Sequence, residues 1–336
     1  MQYSTFAAID IGSYDVILEI FEISKKQGIR SVDKICHRME LGKDTYTLGK
    51  IRPEMEEELC RVLADFVRIM EGYRVDAYRA MASSAISEAA NSLYVLGKIR
   101  QLTGLSVTVL SNSEQRFLGY KALAAMEDNF NKVIEKGTAI LDLDGGSFQI
   151  SLFDKDALVT TQNIRMGSLR VRERLAGIQS ETEHYEEMVE ELIWNEVSSF
   201  KKMYLKDRKI ENIMLIGDVF TDSVYQNIEE KTTKIISREN FNTWYEKIIR
   251  QSPMELAVKL GIPLENASLM YPSAVIYKCL IDMMEAEHVW IPGVHMTRGI
   301  AYEYAEQMKL QKGSHNFEND ILMAAKNIGK RYAVNR

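Results

Sequence analysis

Two short acidic segments containing glycine carry most of the chemistry that this sequence of 336 residues suggests. The first is Asp-Ile-Gly-Ser at 10–13, and the second is Asp-Leu-Asp-Gly-Gly-Ser at 142–147. Each lies between two apolar, strand-like runs, which predicts a tight β-hairpin at each place. Glycine in such a turn lets an anion approach the outward-facing backbone amides closely. The pair predicts a duplicated fold that holds phosphate between its two halves.

The residues of these loops also have simpler roles to be weighed. Asp10 alone would most simply cap a hairpin. A second aspartate at the matching place, Asp142, favours a metal or ligand role for both. Tight turns need Gly12, Gly145 and Gly146 in any case, so turn formation and phosphate binding explain these glycines equally well.

Composition excludes several classes of protein. The net charge of −6 argues against a surface that coats nucleic acid, so a polyanion must be bound by loop amides, a metal ion or a few cations. The three cysteines lie far apart and are predicted to be reduced, buried thiols of a cytoplasmic protein. Apolar stretches are too short for a membrane-spanning helix, and no secretory leader is apparent. The histidines show no metal-binding spacing.

The elements that position these loops follow one order twice. Three strands come first in each half, and helices then alternate with single strands, which predicts an α/β fold with a mixed sheet in each half. Predicted strands cover 5–10, 16–23, 29–39, 75–82, 105–110, 138–142, 149–153, 158–164, 213–216 and 289–291. Predicted helices cover 53–70, 88–102, 113–126, 181–203, 252–261, 272–285 and 297–308. Capping boxes are predicted at Ser180 and Ser252.

This order predicts three regions along the chain. The first domain covers 1–126 and the second covers 127–310, with the alternative that the helix at about 297–310 packs back on the first domain. The remainder, 311–336, is predicted to be a linker followed by an amphipathic C-terminal helix.

Five segments resemble the exopolyphosphatase/guanosine pentaphosphate phosphohydrolase (Ppx/GppA) family of the actin/hexokinase/Hsp70-like superfamily. They occur in the family's order at 8–13, 82–89, 110–118, 141–149 and 166–170. The resemblance implies two actin-like (ribonuclease H-like) domains with a cleft between them. It also allows a homodimer, since family members are often dimers.

The resemblance to this family implies a particular reaction and a set of site residues. Its members remove terminal phosphates from inorganic polyphosphate or from guanosine pentaphosphate, using Mg²⁺ held by Asp and Glu and a Glu that deprotonates water. The resemblance implies that polyphosphate or a guanosine polyphosphate binds in the cleft. The implied phosphate contacts are Gly12, Ser13, Ser87, Gly145, Gly146, Ser147 and Arg170, and the candidate metal ligands are Asp10, Asp142 and Asp144.

This chain departs from the family pattern at the positions that matter most for hydrolysis. The expected base falls on Gln115, and the glutamate that ends the second loop falls on Gln149. An amide cannot take a proton from water at neutral pH, and it brings no charge to a magnesium ion. An arginine of the family falls on Ser87, a loop glycine falls on Asp144, and a glycine-rich loop falls on 217–221. These changes predict binding with impaired hydrolysis.

Two alternatives stay open at this stage. In the first, the chain is an active exopolyphosphatase with a rewired site that uses Glu114, Asp142 and Asp144, together with Asp10. In the second, the cleft is vestigial and the protein is a non-catalytic interaction or scaffold protein. A sugar kinase of the same superfamily fits less well, because the segments at 82–89 and 110–118 match the phosphatases.

Overall fold

The computed structural model describes residues 3–126, 130–155, 157–176, 185–205, 208–227 and 235–311, together with 322, 325, 326 and 329. Two compact units account for these residues. The first contains the described residues of Met1–Ala125 and Val294–Ser314, and the second contains those of Met126–Gly293 and His315–Arg336. The capping box predicted at Ser180 lies outside the described residues, as does most of the helix predicted over 317–332.

The first unit is built on a five-stranded mixed sheet in the order β3-β2-β1-β4-β5. Its strands are β1 (Ser4–Ile11), β2 (Asp15–Ser24), β3 (Gly28–Arg38), β4 (Ala77–Ala82) and β5 (Val107–Val109). The first three strands are antiparallel, whereas β4 runs parallel to β1 and to β5. The helices are α1 (Leu41–Leu48), α2 (Pro53–Gly72), α3 (Ser84–Ser87), α4 (Ser92–Thr103) and α5 (Asn112–Met126).

The second unit repeats this design with a six-stranded mixed sheet in the order β10-β11-β9-β6-β7-β8. Its strands are β6 (Thr138–Leu143), β7 (Phe148–Asp154), β8 (Ala157–Ile164), β9 (Asn212–Ile216), β10 (Ile235–Ser237) and β11 (His288–Trp290). The helices are α6 (Phe130–Ile134), α7 (Ser168–Leu175), α8 (Tyr185–Phe200), α9 (Val219–Asn227), α10 (Arg238–Ile249), α11 (Pro253–Leu260) and α12 (Leu264–Met284), with a π-helical turn at Lys201–Leu205. Strand β6 pairs antiparallel with β7 and parallel with β9.

The final described helix, α13 (Met296–Gln307), belongs to the first unit. Side chains alternate between the two faces of β1, so the strand contributes to two cores. Ile9 faces the core beneath α2 with Leu63, whereas Phe6 faces the core beneath α13 with Ile300. The rings of Phe6 and Tyr304 stack at 4.2 Å between centroids. A buried hydrogen bond from the Thr297 hydroxyl to the Glu19 carboxylate ties α13 to β2.

Helix α11 shows how local sequence fixes an element. Ser252 and Glu255 form the predicted capping box, with Pro253 in the first turn and Gly261 in the left-handed conformation at the end, so this prediction is confirmed. The next helix is longer than predicted. It begins at Leu264 and continues through Pro272, which is buried within it.

Two mixed sheets, each opened by a β-hairpin, confirm the predicted α/β class. The prediction missed several elements, namely α1, α3, α6, α7, α9, α10 and β10. It was also wrong in making all three cysteines buried, since Cys36 on β3 is exposed. None of the described helices is both long enough and apolar enough to cross a membrane.

Candidate functional site

The turn between β1 and β2 is the first predicted phosphate loop. The Gly12 amide donates to the Asp15 carbonyl oxygen at 2.9 Å and closes the turn, which confirms the predicted hairpin. Asp10 lies near the end of β1, opposite Ile17 of β2 and beside Met81 of β4, and it is partly exposed. Its role as a metal ligand stays a prediction.

Three hydroxyl groups support this first loop from below. Ser13 is fully buried, and its Oγ lies 2.6 Å from the Tyr46 hydroxyl and 3.1 Å from Ser84 Oγ. The Tyr46 and Ser84 hydroxyls are themselves 2.9 Å apart, so the three close a hydrogen-bonded triangle. This triangle fixes the loop against α1 and α3. The Ser13 hydroxyl therefore has a structural role, and its phosphate contact stays a prediction.

The segment at 82–89 forms the short helix α3 beside the first loop. Ser83 is buried, and its Oγ has no hydrogen-bond partner among the described residues. Ser87 is exposed, and its Oγ lies 3.5 Å from the Ser84 carbonyl oxygen. A serine hydroxyl is short and uncharged, so Ser87 offers none of the bidentate binding that an arginine gives to phosphate.

The two candidate base residues, Glu114 and Gln115, lie in the first turn of helix α5 but in different surroundings. The Glu114 carboxylate accepts from the Ser111 amide at 2.8 Å and from the Ser111 hydroxyl at 2.7 Å, while the Glu114 amide donates to Ser111 Oγ at 3.3 Å. This is a reciprocal helix cap. These hydrogen bonds lower the pKa of Glu114, which makes it a weaker base. Gln115 is buried at the next position.

The turn between β6 and β7 is the second predicted phosphate loop. The Asp144 amide donates to the Ser147 carbonyl oxygen at 2.9 Å, which closes the hairpin and confirms it. The Asp144 carboxylate accepts from the Gly145 amide at 2.6 Å. No hydrogen bond from the Gly146 or Ser147 amide to another described residue is present. These two amides are the groups of the loop that a phosphate oxygen could use.

The start of α7 holds the second loop in place. A Cβ atom on Gly167 would lie within 3.0 Å of backbone atoms of Asp144, Gly145 and Ser147, so only glycine fits there. Arg170 donates from its amide to the Gly145 carbonyl oxygen at 2.9 Å and from Nε to the Gly146 carbonyl oxygen at 2.8 Å. The guanidinium group therefore lies against the loop and has a structural role there, and its phosphate contact stays a prediction.

Asp142 and Gln149 form a cross-strand pair directly below this loop. They are register partners in β6 and β7, so their side chains share one face of the sheet. Asp142 Oδ2 and Gln149 Oε1 are buried without a hydrogen-bond partner among the described residues. Burial, together with the nearby Asp144, raises the pKa of Asp142 to about 7. Two unpartnered buried acceptors side by side are costly unless a ligand satisfies them.

A third acidic residue lies at the end of β9, the other neighbour of β6. Asp218 Oδ2 is buried without a partner among the described residues, and burial raises the pKa of Asp218 to about 7. The Tyr277 hydroxyl lies 3.4 Å from Asp218 Oδ1. Burial, with Asp218 and Asp142 nearby, raises the pKa of Tyr277 well above its usual value. The end of the second sheet therefore brings together two buried carboxyl groups whose charged forms are disfavoured by burial.

The resemblance to the family implies a magnesium ion, and the buried oxygens of Asp142 and Gln149 are candidates to bind it. No three or more His, Cys, Asp or Glu side chains in the described part of the chain could hold a metal ion together. Magnesium at phosphate sites, however, is usually bound by one or two carboxylates, waters and phosphate oxygens. The unpartnered Asp142 Oδ2 and Gln149 Oε1 fit an ion that arrives with a phosphate chain.

Several residues of these sites were not predicted. Tyr46, Ser84 and Tyr277 reach the loops from distant parts of the sequence, so no local spacing pointed to them. The cap formed by Ser111 and Glu114 had a local signal, since serine followed three residues later by glutamate is typical of a helix start.

Comparisons with known proteins agree with this geometry. The Ppx/GppA phosphatase family matches residues 19–308. The bifunctional 3-dehydroquinate synthase/phosphatase of Fusobacterium nucleatum is 21% identical over 238 residues, which are 67% of this chain and 34% of that protein. Exopolyphosphatase 1 of Mycobacterium leprae is 25% identical over 144 residues, 43% of this chain and 41% of that protein. The matched stretches therefore span well under half the length of these curated relatives.

Solved structures extend the likeness over most of the fold. The Ppx/GppA family member of Aquifex aeolicus superposes with a TM-score of 0.72 at 19% identity, covering 91% of this chain and 99% of that one. An exopolyphosphatase from Cytophaga hutchinsonii gives a TM-score of 0.79 at 17% identity, with 90% and 98% coverage. These likenesses confirm the predicted fold class of two actin-like domains. The family match over residues 19–308 shows that this chain belongs to the Ppx/GppA phosphatase family.

Proposed function

We propose that this protein binds phosphoanhydrides, either inorganic polyphosphate or a guanosine polyphosphate, at the loop 142–147 together with Mg²⁺, and that it hydrolyses them poorly. The carrying observation is the pair of buried, unpartnered oxygens of Asp142 and Gln149 below that loop. A vestigial loop in a scaffold protein would gain stability by replacing such groups with apolar ones. Their presence favours a ligand.

The loop itself has the properties of a phosphate site. The Gly146 and Ser147 amides make no hydrogen bond to other described residues, and Gly167 and Arg170 hold the loop from the other side. A loop fixed in advance binds with a smaller loss of conformational entropy. The relatives named exopolyphosphatase suggest polyphosphate as the ligand.

Magnesium would be held by Asp142, with the Gln149 oxygen beside it, and it would supply positive charge against the phosphate chain. The Asp144 carboxylate already accepts from the Gly145 amide, which leaves that carboxylate less suited to replace the missing glutamate. Asp10 as a further ligand stays a prediction.

Poor hydrolysis follows from the side chains at the base positions. Gln115 and Gln149 are buried amides, which cannot accept a proton from water. Losing one general base commonly costs about 10²–10⁴ in rate. The rewired alternative needs Glu114 as the base, but Glu114 caps α5 and has a lowered pKa. The geometry therefore disfavours an active rewired site.

Phosphate release tests this proposal directly. Wild type and Gln115→Glu/Gln149→Glu are incubated with Mg²⁺ and polyphosphate or guanosine pentaphosphate. We expect near-background release from wild type and at least a roughly tenfold increase in the double variant, because a carboxylate restores the base and the metal charge. Gln101→Glu/Gln226→Glu, which changes two exposed glutamines, carries the same added charge and should stay at background. Rapid release by wild type would contradict impaired hydrolysis.

Binding is measured separately from hydrolysis. A ligand that binds only the folded state raises the melting temperature in proportion to the logarithm of its excess over Kd. We expect polyphosphate with Mg²⁺ to raise the melting temperature of wild type. A melting curve that responds to neither polyphosphate nor guanosine pentaphosphate would contradict the proposal and favour the scaffold alternative. Homodimer formation and a cytoplasmic location stay predictions.

A further inference from the structure

Helix α11 carries large apolar side chains on two opposite faces. Leu256 is the buried residue of this helix, at 2% exposure, whereas Met254 is 59% exposed and Val258 is 79% exposed. Met254 and Val258 are four residues apart, so they are neighbours on one face, and Leu256 points about 200° away from each. Leu264, which follows at the start of α12, is also exposed, at 43%. A helix with apolar side chains on both faces usually packs against a partner on each side.

Local structure does not account for Val258 at this place. Valine is β-branched and has a lower helix propensity than alanine, lysine or glutamate. The ends of α11 are already defined by the capping box of Ser252 with Glu255 and by Gly261. Isolated exposed apolar side chains are normal on protein surfaces, whereas contiguous ones mark contact sites. The apolar pair on the outer face of α11 is therefore best explained by a partner.

The charges beside this pair fit a second copy of the same face. Glu255 and Lys259 are both exposed, and each directly follows one member of the apolar pair. When two α11 helices meet antiparallel across a two-fold axis, Met254 of one copy lies opposite Val258 of the other. The same rotation places Glu255 of one copy opposite Lys259 of the other. The face is therefore complementary to itself, in its apolar side chains and in its charges.

We propose that the outer face of α11, which carries these four side chains, is a two-fold interface that binds a second copy of this chain. The capping box is compatible with this role, because Glu255 Oε2 accepts both hydrogen bonds from Ser252 and the Glu255 side chain stays exposed. The face is small, so the dimer is weak and its population depends on protein concentration. The inference goes beyond phosphoanhydride binding and does not depend on it.

Sedimentation equilibrium of the full chain, from about 1 µM to about 1 mM, tests the interface. We expect wild type to dimerise in this range and Val258→Asp to dimerise at least roughly 100-fold more weakly, because the dimer would bury an unpaired charge. Leu102→Asp is the matched control and should dimerise like wild type, since Leu102 is 59% exposed near the end of α4 in the first unit. Circular dichroism checks folding, and Met254→Asp replaces Val258→Asp if that variant does not fold.

Charge reversal tests the two-fold arrangement itself. Lys259→Glu places like negative charges opposite each other in the dimer, and Glu255→Lys places like positive charges there. We expect each variant alone to dimerise at least roughly fivefold more weakly than wild type, and an equimolar mixture of the two to recover. In the mixture, opposite charges face each other again. If Glu255→Lys does not fold, Lys259→Glu is compared with Lys259→Gln and should dimerise more weakly.

Several results would overturn the proposal. They are a wild type that stays monomeric at about 1 mM, equal dimerisation of wild type and Val258→Asp, and the same loss in Leu102→Asp as in Val258→Asp. A mixture of the charge-reversed variants that dimerises no better than either alone would also overturn it, as would equal dimerisation of Lys259→Glu and Lys259→Gln.

Discussion

At the scale of single residues, the second unit combines buried carboxyl groups with unpartnered amide oxygens. Asp142 and Asp218 both have a pKa raised to about 7, chiefly by burial. Such a group binds a proton more tightly in the folded state than in the unfolded state. Its contribution to stability is therefore greatest at low pH and is lost as pH rises towards the folded pKa.

Asp142→Asn tests this linkage. Below about pH 4 wild type is protonated at this position in both states, so the variant should be about as stable as wild type. Between pH 4 and about 7 the variant should become progressively more stable than wild type, by up to a few kcal/mol, and the gain should level off at higher pH. Urea unfolding across this range, with EDTA present, measures the difference.

Asp65→Asn serves as the matched control, because it makes the same substitution at an exposed position. If the stability of Asp142→Asn relative to wild type decreased with rising pH, the conclusion that burial raises the pKa of the Asp142 carboxyl group would be wrong.

At the scale of elements, one contact between α7 and the turn of the β6–β7 hairpin fixes the second loop. The backbone of Gly167 lies so close to Asp144 and Ser147 that a single methyl group cannot be added. Because the loop amides are the proposed phosphate donors, this contact links the stability of the hairpin to ligand binding.

Gly167→Ala should therefore destabilise the second unit and weaken binding together. We expect a loss of about 1–3 kcal/mol, since backbone atoms have to move to accept the new Cβ. Urea unfolding and the polyphosphate-induced change in melting temperature give the two readouts. Gly97→Ala on α4 is the control, because nothing lies within 4 Å of its new Cβ and alanine favours a helix. A Gly167→Ala protein that bound polyphosphate like wild type would separate this contact from ligand binding.

The sequence allowed prediction of both hairpins, because apolar runs flank small residues at each turn. The pairing of Asp142 with Gln149 was not predicted, although the register of a hairpin follows from its turn. The sequence did not indicate the triangle of Ser13, Tyr46 and Ser84, whose members are brought together only by folding. The same reason applies to Asp218 and Tyr277. The cap formed by Glu114 was not predicted, because the helix start at Ser111 went unrecognised. A catalytic role for Glu114 stays a prediction.

At the scale of the whole molecule, each of the two units contains its own sheet. All three tryptophans, Trp194, Trp244 and Trp290, belong to the second unit. Tryptophan fluorescence therefore reports on the unit that contains the loop 142–147, whereas backbone amides of α2 report on the first.

Ligand binding at the loop 142–147 should therefore change the signals of the second unit more than those of the first. We expect polyphosphate with Mg²⁺ to raise the midpoint of the fluorescence-detected melting transition by linkage. Amides of β6 and β7 should gain more protection from hydrogen exchange than those of α2. Mass-spectrometric hydrogen exchange with and without ligand measures this. Stronger protection in α2 than in the hairpin would place binding in the first unit instead.

Helix α13 joins the first sheet from the far end of the polypeptide, and this has a consequence for biosynthesis. Phe6, Ala8 and Phe21 line a face of that sheet that is covered in part by Ile300 and Ala301. Until the ribosome has synthesised α13, the part of this apolar face that α13 covers is exposed to solvent and accessible to chaperones. The unit whose synthesis begins first is thus the one completed last. A translational arrest before codon 296 would leave a nascent chain with an exposed apolar surface that is prone to aggregation.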